Sequence, residues 1–230
     1  MHTIKLYPKK TWLFKITLIT SIILFACKPA VMLGETASAP VNIEKLLILP
    51  FKDMARIYGE NVSIRCPLCG NIFTAGKVEQ GADNILTDHL VGLIKNQKNF
   101  KLIPTSQAQG VLAGLLLKNK KALSEQDLLV ETGRALNADV VMIGYIYRFR
   151  ERLGKRYSVA APASVAFDIH LISMTDGRIL WVGHFDETQR SLSEDLFQLG
   201  KFLKRKAAWI TAKELAFSGL ENVLQACPNP

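Results

Sequence analysis

Asp139-Val-Val-Met-Ile-Gly-Tyr-Ile-Tyr-Arg-Phe-Arg-Glu-Arg152 decides how this chain folds. Val141, Ile143, Tyr145, Tyr147 and Phe149 alternate with Val140, Met142, Gly144 and Ile146, and then with Arg148, Arg150 and Arg152. Both faces begin apolar and one becomes cationic, which predicts a strand that starts in a core and leaves it. The arginines at every second residue then form either a solvated strand end or an anionic docking stripe; solvated charge is the more ordinary outcome.

Other elements fall into place on either side of this strand. Lys45-Leu-Leu-Ile-Leu-Pro-Phe51 is a continuous apolar run, which suits a strand buried on both faces. Residues 52–80 form a long connection that holds Cys66-Pro-Leu-Cys69-Gly70. Leu86, Leu90, Leu93 and Ile94 recur at helical spacing; Lys101-Leu-Ile-Pro104 is a short strand. Thr105 or Ser106 is placed to cap a helix with Val111, Leu112, Leu115 and Leu116 on its apolar side, and Ser124 opens another with Asp127 three residues on.

Downstream, 165–174 and 178–188 flank Thr175-Asp176-Gly177, and Asp-Gly is a hairpin signal because its turn favours positive φ. A two-residue loop puts Phe167, Ile169, Leu171, Leu180 and Val182 on one face, with Asp168, His170, Ile172, Trp181 and Phe185 on the other. His184 then pairs with Ile169 and points away from His170, unless a one-residue bulge reverses the phase. Asp168 and His170 read as a local polar pair rather than a catalytic dyad, since no nucleophile motif accompanies them.

The amino-terminal 26 residues carry a targeting signal. Lys5, Lys9, Lys10 and Lys15 precede an apolar stretch, 16–26, too short to cross a bilayer core as a helix. It ends in Leu24-Phe25-Ala26-Cys27, which resembles the bacterial lipobox and implies cleavage followed by acylation, palmitate included, of Cys27. An ordinary signal peptide cut near Ala37-Ser38-Ala39 is the alternative. Several acyl chains on one residue anchor stably, and the resemblance to bacterial lipoproteins, with Lys28 rather than aspartate after the cysteine, implies the outer membrane. Four of the 29 basic residues and none of the 20 acidic ones lie in 1–26, so the remainder carries a formal +5. A periplasm-facing domain has no nucleic acid to meet, which leaves anionic headgroups or an acidic partner for the excess charge.

The order of elements resembles the curli-export lipoprotein (CsgG-like) family and the related TolB amino-terminal domain. The resemblance is carried by the apolar strand ending in Leu49-Pro50-Phe51, by Phe100-Lys-Leu-Ile-Pro104, by Asn137-Ala-Asp-Val-Val-Met-Ile-Gly-Tyr145 and by the hairpin with Thr175-Asp-Gly-Arg-Ile-Leu-Trp181. It implies an α/β fold, a mixed sheet with helices packed on it, serving envelope transport or assembly. The expected organisation is a signal over 1–26, a lipidated tether over 27–42, an α/β domain over 43–190 and a helical extension over 191–230.

Neither 52–80 nor the stretch after Val182 offers the continuous lipid-facing strand of roughly 9 to 11 residues that a spanning hairpin needs. A ring-forming export channel is therefore the second reading, and a lipid-anchored periplasmic interaction, assembly or accessory transport module the first, with an envelope protein partner and room for a homo-oligomer. Enzyme signatures are lacking: the chain has no phosphate-binding glycine loop, no Gly-x-Ser-x-Gly and no His-Glu-x-x-His.

Cys66 and Cys69 carry the third reading, a metal or thiol-redox site. Their spacing resembles half of a zinc knuckle, and a tetrahedral zinc site would need His89, Cys227 or a second subunit to complete it. A disulfide is the competing use in an exported protein, and no cofactor besides zinc and the lipid on Cys27 is expected. Beyond the hairpin, Lys204, Arg205 and Lys206 beside Trp209 are placed either to face anionic headgroups or to end a helix while the indole packs.

Overall fold

In a computed structural model, which describes residues 43–96, 101–118, 123–155, 158–189 and 209–227, the apolar run after Glu44 forms β1 (Lys45–Ile48) at the middle of a sheet. The strand is flanked on one side by β5 (Lys101–Ile103) and on the other by β6 (Val140–Arg150), both parallel to it. The antiparallel half follows as β9 (Ser164–Ser173) and β10 (Ile179–Thr188), giving the order β10-β9-β6-β1-β5. β2 (Lys52–Asp53) resumes pairing with β6 after Pro50. The expected mixed α/β architecture is present.

Central position explains why β1 is apolar on both faces. Leu46 and Ile48 enter one core with Val140, Met142, Phe167 and Ile169, while Leu47 and Leu49 enter a second with Val141, Tyr145 and Ile172. The first core is roofed by α2 (Ala82–Lys95), through Leu86, Leu90 and Ile94, and by α5 (Ala212–Gln225), through Leu215, Leu220 and Leu224. α5, from the stretch expected as a helical extension, is thus part of this core. Its start carries a reciprocal capping box, Thr211 with Glu214, that satisfies two amide donors.

The second core is covered by α1 (Met54–Tyr58), α3 (Thr105–Lys118), α4 (Glu125–Ala135) and a small hairpin of β3 (Ser63–Arg65) and β4 (Ile72–Thr74). α4 begins where expected, with Ser124 Oγ accepting from the Asp127 amide. Thr105 does not cap α3: its hydroxyl donates to the Ile48 carbonyl, tying the helix start to the end of β1. β7 (Leu153–Lys155) and β8 (Ser158–Ala161) form a separate short hairpin. Strands of three or four residues in both small hairpins fall far short of the 9 to 11 a bilayer crossing takes. No helix among the described residues is long and apolar enough to cross a membrane.

Two bulges change the phase that plain alternation predicts. In β6 the register with β9 shifts between Ile146 and Arg148, so Tyr147 is the extra residue. Phe149 thereby joins the core of Val140 and Met142, not that of the tyrosines, and Arg148 changes face with it. In β10 a shift between Ile179 and Trp181 pairs Val182 with His170 and His184 with Asp168. The expected His184–Ile169 pairing is corrected by that one residue: Trp181 and Phe185 move to the side of Phe167, and Phe185 stacks on it with centroids 5.3 Å apart. The turn is also longer than two residues, with the Gly177 amide donating to Ser173 O at φ +75°.

Candidate functional site

The long connection 52–80 folds back so that β3 and β4 lie over the middle of β9. Phe73 stacks on Tyr147 at 4.1 Å between centroids and 10° between planes, and Ile64 and Ala75 fill in beside it. Between the two strands the chain turns through Cys66-Pro-Leu-Cys69-Gly70. The Cys66 amide donates to Asn71 O and the Gly70 amide to Cys66 O; Gly70 takes φ +77°, which an L side chain rarely adopts. Arg65 donates to Gly70 O and braces the turn from outside.

This turn sets both thiols against the polar pair of β9. Asp168 and His170 are two apart on one strand and so share a face, the one the hairpin covers. Cys66 Sγ lies 3.5 Å from His170 Nε2, and Cys69 Sγ 3.8 Å from Asp168 Oδ2. His170 Nε2 and Asp168 Oδ2 are 3.8 Å apart, and one ligand atom from each of the four residues falls within 4.8 Å of every other. Tyr147 donates its hydroxyl to Asp168 Oδ2 at 3.0 Å, and the Tyr145 ring meets His170 edge-on. The Tyr145 hydroxyl donates to Glu125, which Lys52 pairs at 3.0 Å.

Burial sets the electrostatics. Asp168 and His170 are wholly inaccessible, Cys66 is 2% exposed, and Cys69 is partly exposed. Burial raises the Asp168 carboxyl to about 6, against donors from Cys66, Tyr147 and Cys69. His170 is pushed down to about 4 by burial and is therefore neutral at pH 7. The Cys66 thiol is pushed up to about 12 by burial and then by Asp168, opposed by the amides of Cys69 and Leu68. Tyr147 is raised by burial and by Asp168. Among the described residues, Asp168 Oδ1 and His170 Nδ1 have no hydrogen-bond partner.

His89 and Cys227, expected as the partners of Cys66 and Cys69, lie on the opposite face of the sheet. His89 stacks on Phe217 of α5 at 3.6 Å beside Glu221, and Cys227 packs against the first core. The sequence showed each half of the cluster, a Cys-x-x-Cys turn and an Asp-x-His pair on an otherwise apolar strand. Their meeting across about a hundred residues was not visible.

Two of the three arginines of the expected stripe, Arg148 and Arg152, are occupied. Arg148 donates to Ser164 Oγ and to Thr74 O and pairs with Asp186. Arg152 donates to Trp209 O, and the neighbouring Glu151 accepts from the Ala212 amide, so together they hold the entry to α5. Arg150 is half-buried. Cys27, Lys204, Arg205 and Lys206 lie outside the described residues, as does the part of the expected helical extension before 209.

β10 is an edge strand, and a groove of about 810 Å³ runs between it and α5, lined by Trp181, Phe185, Asn222 and Val223 among others. Gly183 lets the helix approach: a Cβ there would collide with Val223 and Trp181.

A family model described as "Peptidoglycan-synthase activator LpoB" matches residues 81–186, from the start of α2 into β10. That match overturns the expected resemblance to the curli-export (CsgG-like) family and the TolB amino-terminal domain. The order of strands and helices behind that expectation is a consequence of layer packing shared by many families, and it does not choose among them. No curated protein matches the chain. Among solved structures, the chain is similar to the PelC dodecamer from Paraburkholderia phytofirmans, at 12% identity over 81% of this chain and 89% of that one, with a TM-score of 0.44. It is also similar to the LpoB C-terminal domain from Salmonella enterica (16%, 66% and 89%, TM-score 0.40) and to lipoprotein GNA1162 from Neisseria meningitidis (10%, 71% and 95%, TM-score 0.38).

Proposed function

We propose that this chain is a non-enzymatic envelope lipoprotein that binds a peptidoglycan synthase and raises its activity. The observation that carries the reading is the match of the peptidoglycan-synthase activator model to 81–186, a span holding three of the six strands of the main sheet whole and most of a fourth. The geometry is in keeping with it. Asp168 and His170, the polar pair that a hydrolytic reading would use, are closed off from any substrate under the β3–β4 hairpin, whereas β10 presents a sheet edge beside a groove of mixed polar and apolar lining, a surface suited to a protein partner. Acylation of Cys27 would hold the domain at the outer membrane, with residues 28–42 as the reach toward the periplasmic partner.

The test uses the full-length chain in mild detergent, mixed with each bifunctional synthase of its own envelope, with glycan polymerisation followed by consumption of fluorescent lipid-linked precursor. One synthase is expected to be retained by the chain and to polymerise several-fold faster. Unchanged rates and no retention across all of them defeat the proposal.

A further inference from the structure

We infer that Cys66, Cys69, Asp168 and His170 form a structural zinc site that staples the β3–β4 hairpin to β9. Around a tetrahedral zinc with Zn–S near 2.3 Å and Zn–N or Zn–O of 2.0–2.2 Å, ligand atoms lie about 3.3–3.8 Å apart. Three of the six separations are 3.5, 3.8 and 3.8 Å, for Cys66–His170, Cys69–Asp168 and His170–Asp168, and the other three are within 4.8 Å, so the four ligand atoms are gathered close to the spacing of such a tetrahedron. Two thiolates and an imidazole select a borderline-soft ion over magnesium or calcium. All four positions are taken by protein, which is the closed arrangement of structural rather than catalytic zinc.

Three further observations point to an ion. Asp168 Oδ2 and His170 Nε2, both wholly buried, are the atoms of these two side chains that face the thiols and each other. The Tyr147 hydroxyl fixes the carboxylate from the second sphere. The Cys66–Gly70 turn is closed by the Gly70 amide donating to Cys66 O, with Gly70 at φ +77°, and it brings both sulfurs to the same pair of β9 side chains. The staple also answers a stability question. Two strands of three residues each do not hold together alone, yet this hairpin covers Tyr147 and closes the second core.

The experiment uses full-length protein isolated from its own envelope and, separately, the same protein reduced. Elemental analysis is expected to find about one zinc per chain. Exchange for cobalt should give the visible bands of tetrahedral thiolate-bound Co²⁺. Cys69→Ser, at the partly exposed ligand, and His170→Gln should each lose stoichiometric metal, whereas Cys227→Ser and His89→Gln should keep it. Because His170→Gln removes a buried group, chelation of the wild-type protein supplies an independent reading: hydrogen exchange should accelerate over 63–74 and stay unchanged over 82–95. A Cys66–Cys69 disulfide in the envelope-derived protein overturns the inference. So does reduced protein that takes up neither zinc nor cobalt, or metal content indifferent to Cys69→Ser.

Discussion

The ring of Phe51 occupies the space that a side chain at Gly144 would fill. A Cβ built on Gly144 runs into the ring carbons, and the ring sits edge-on to Phe167 with centroids 6.1 Å apart. Gly144 interrupts the apolar first half of β6, and its role is to let the chain after β1 cross close over β6 before β2 pairs with it. Gly144→Ala should therefore destabilise by about 1–3 kcal/mol through overpacking, where Ala for Gly in an open strand would be neutral or better. The denaturant midpoint checks it; an unchanged or raised midpoint would show that Phe51 repacks freely.

Thr211 and Glu214 cap α5 reciprocally, and α5 roofs half of the first core. Thr211→Ala removes an acceptor from the Glu214 amide and is expected to cost about 0.5–2 kcal/mol, with Thr211→Ser recovering most of it. Thermal unfolding of the three proteins measures this. Equal midpoints for Ala and Thr would mean that the contacts of Glu151 and Arg152 at the helix entry already suffice.

What the sequence discloses about this fold stops at the bulges. Alternating apolar residues identified β6, β9 and β10, and a serine three residues before Asp127 identified the start of α4, because these signals are local. The extra residues at Tyr147 and near Leu180 leave the alternation intact on either side, so nothing in the residue types marks where the phase slips. Each slip moves whole side-chain sets: Phe149 crosses to the core of Val140 and Met142, and Arg148 comes to lie beside Thr74. The candidate site was legible in two pieces for the same reason. Cys66 and Cys69 announce a turn, Asp168 and His170 stand out on an apolar strand, and only long-range folding of 52–80 joins them.

His89 should make stability sensitive to mild acid. Burial holds its imidazole below its ordinary value, with Glu221 at 3.7 Å pulling it up and Lys213 pushing it down. The unfolded chain thus takes the proton first as pH falls below about 6.5, so this contribution to stability is complete above that value and declines below it until the folded state also protonates. Urea titrations between about pH 7.5 and about pH 5 should show a shallower loss for His89→Gln than for the wild type. Parallel pH profiles would mean that Glu221 fully offsets the burial.

Tyr147 supplies the sharpest check on the inferred zinc site. Its hydroxyl donates to the Asp168 oxygen that faces Cys69 and His170, while its ring stacks on Phe73. Tyr147→Phe keeps the stack and deletes the donor, so the fold should persist while zinc affinity drops by about 10–100-fold, the usual cost of losing an outer partner of a ligand. Competition against a chromophoric chelator reads the affinity directly, and circular dichroism reads the fold. Undiminished affinity would mean that Asp168 holds its orientation without the hydroxyl, and would leave the buried tyrosine with a packing role alone.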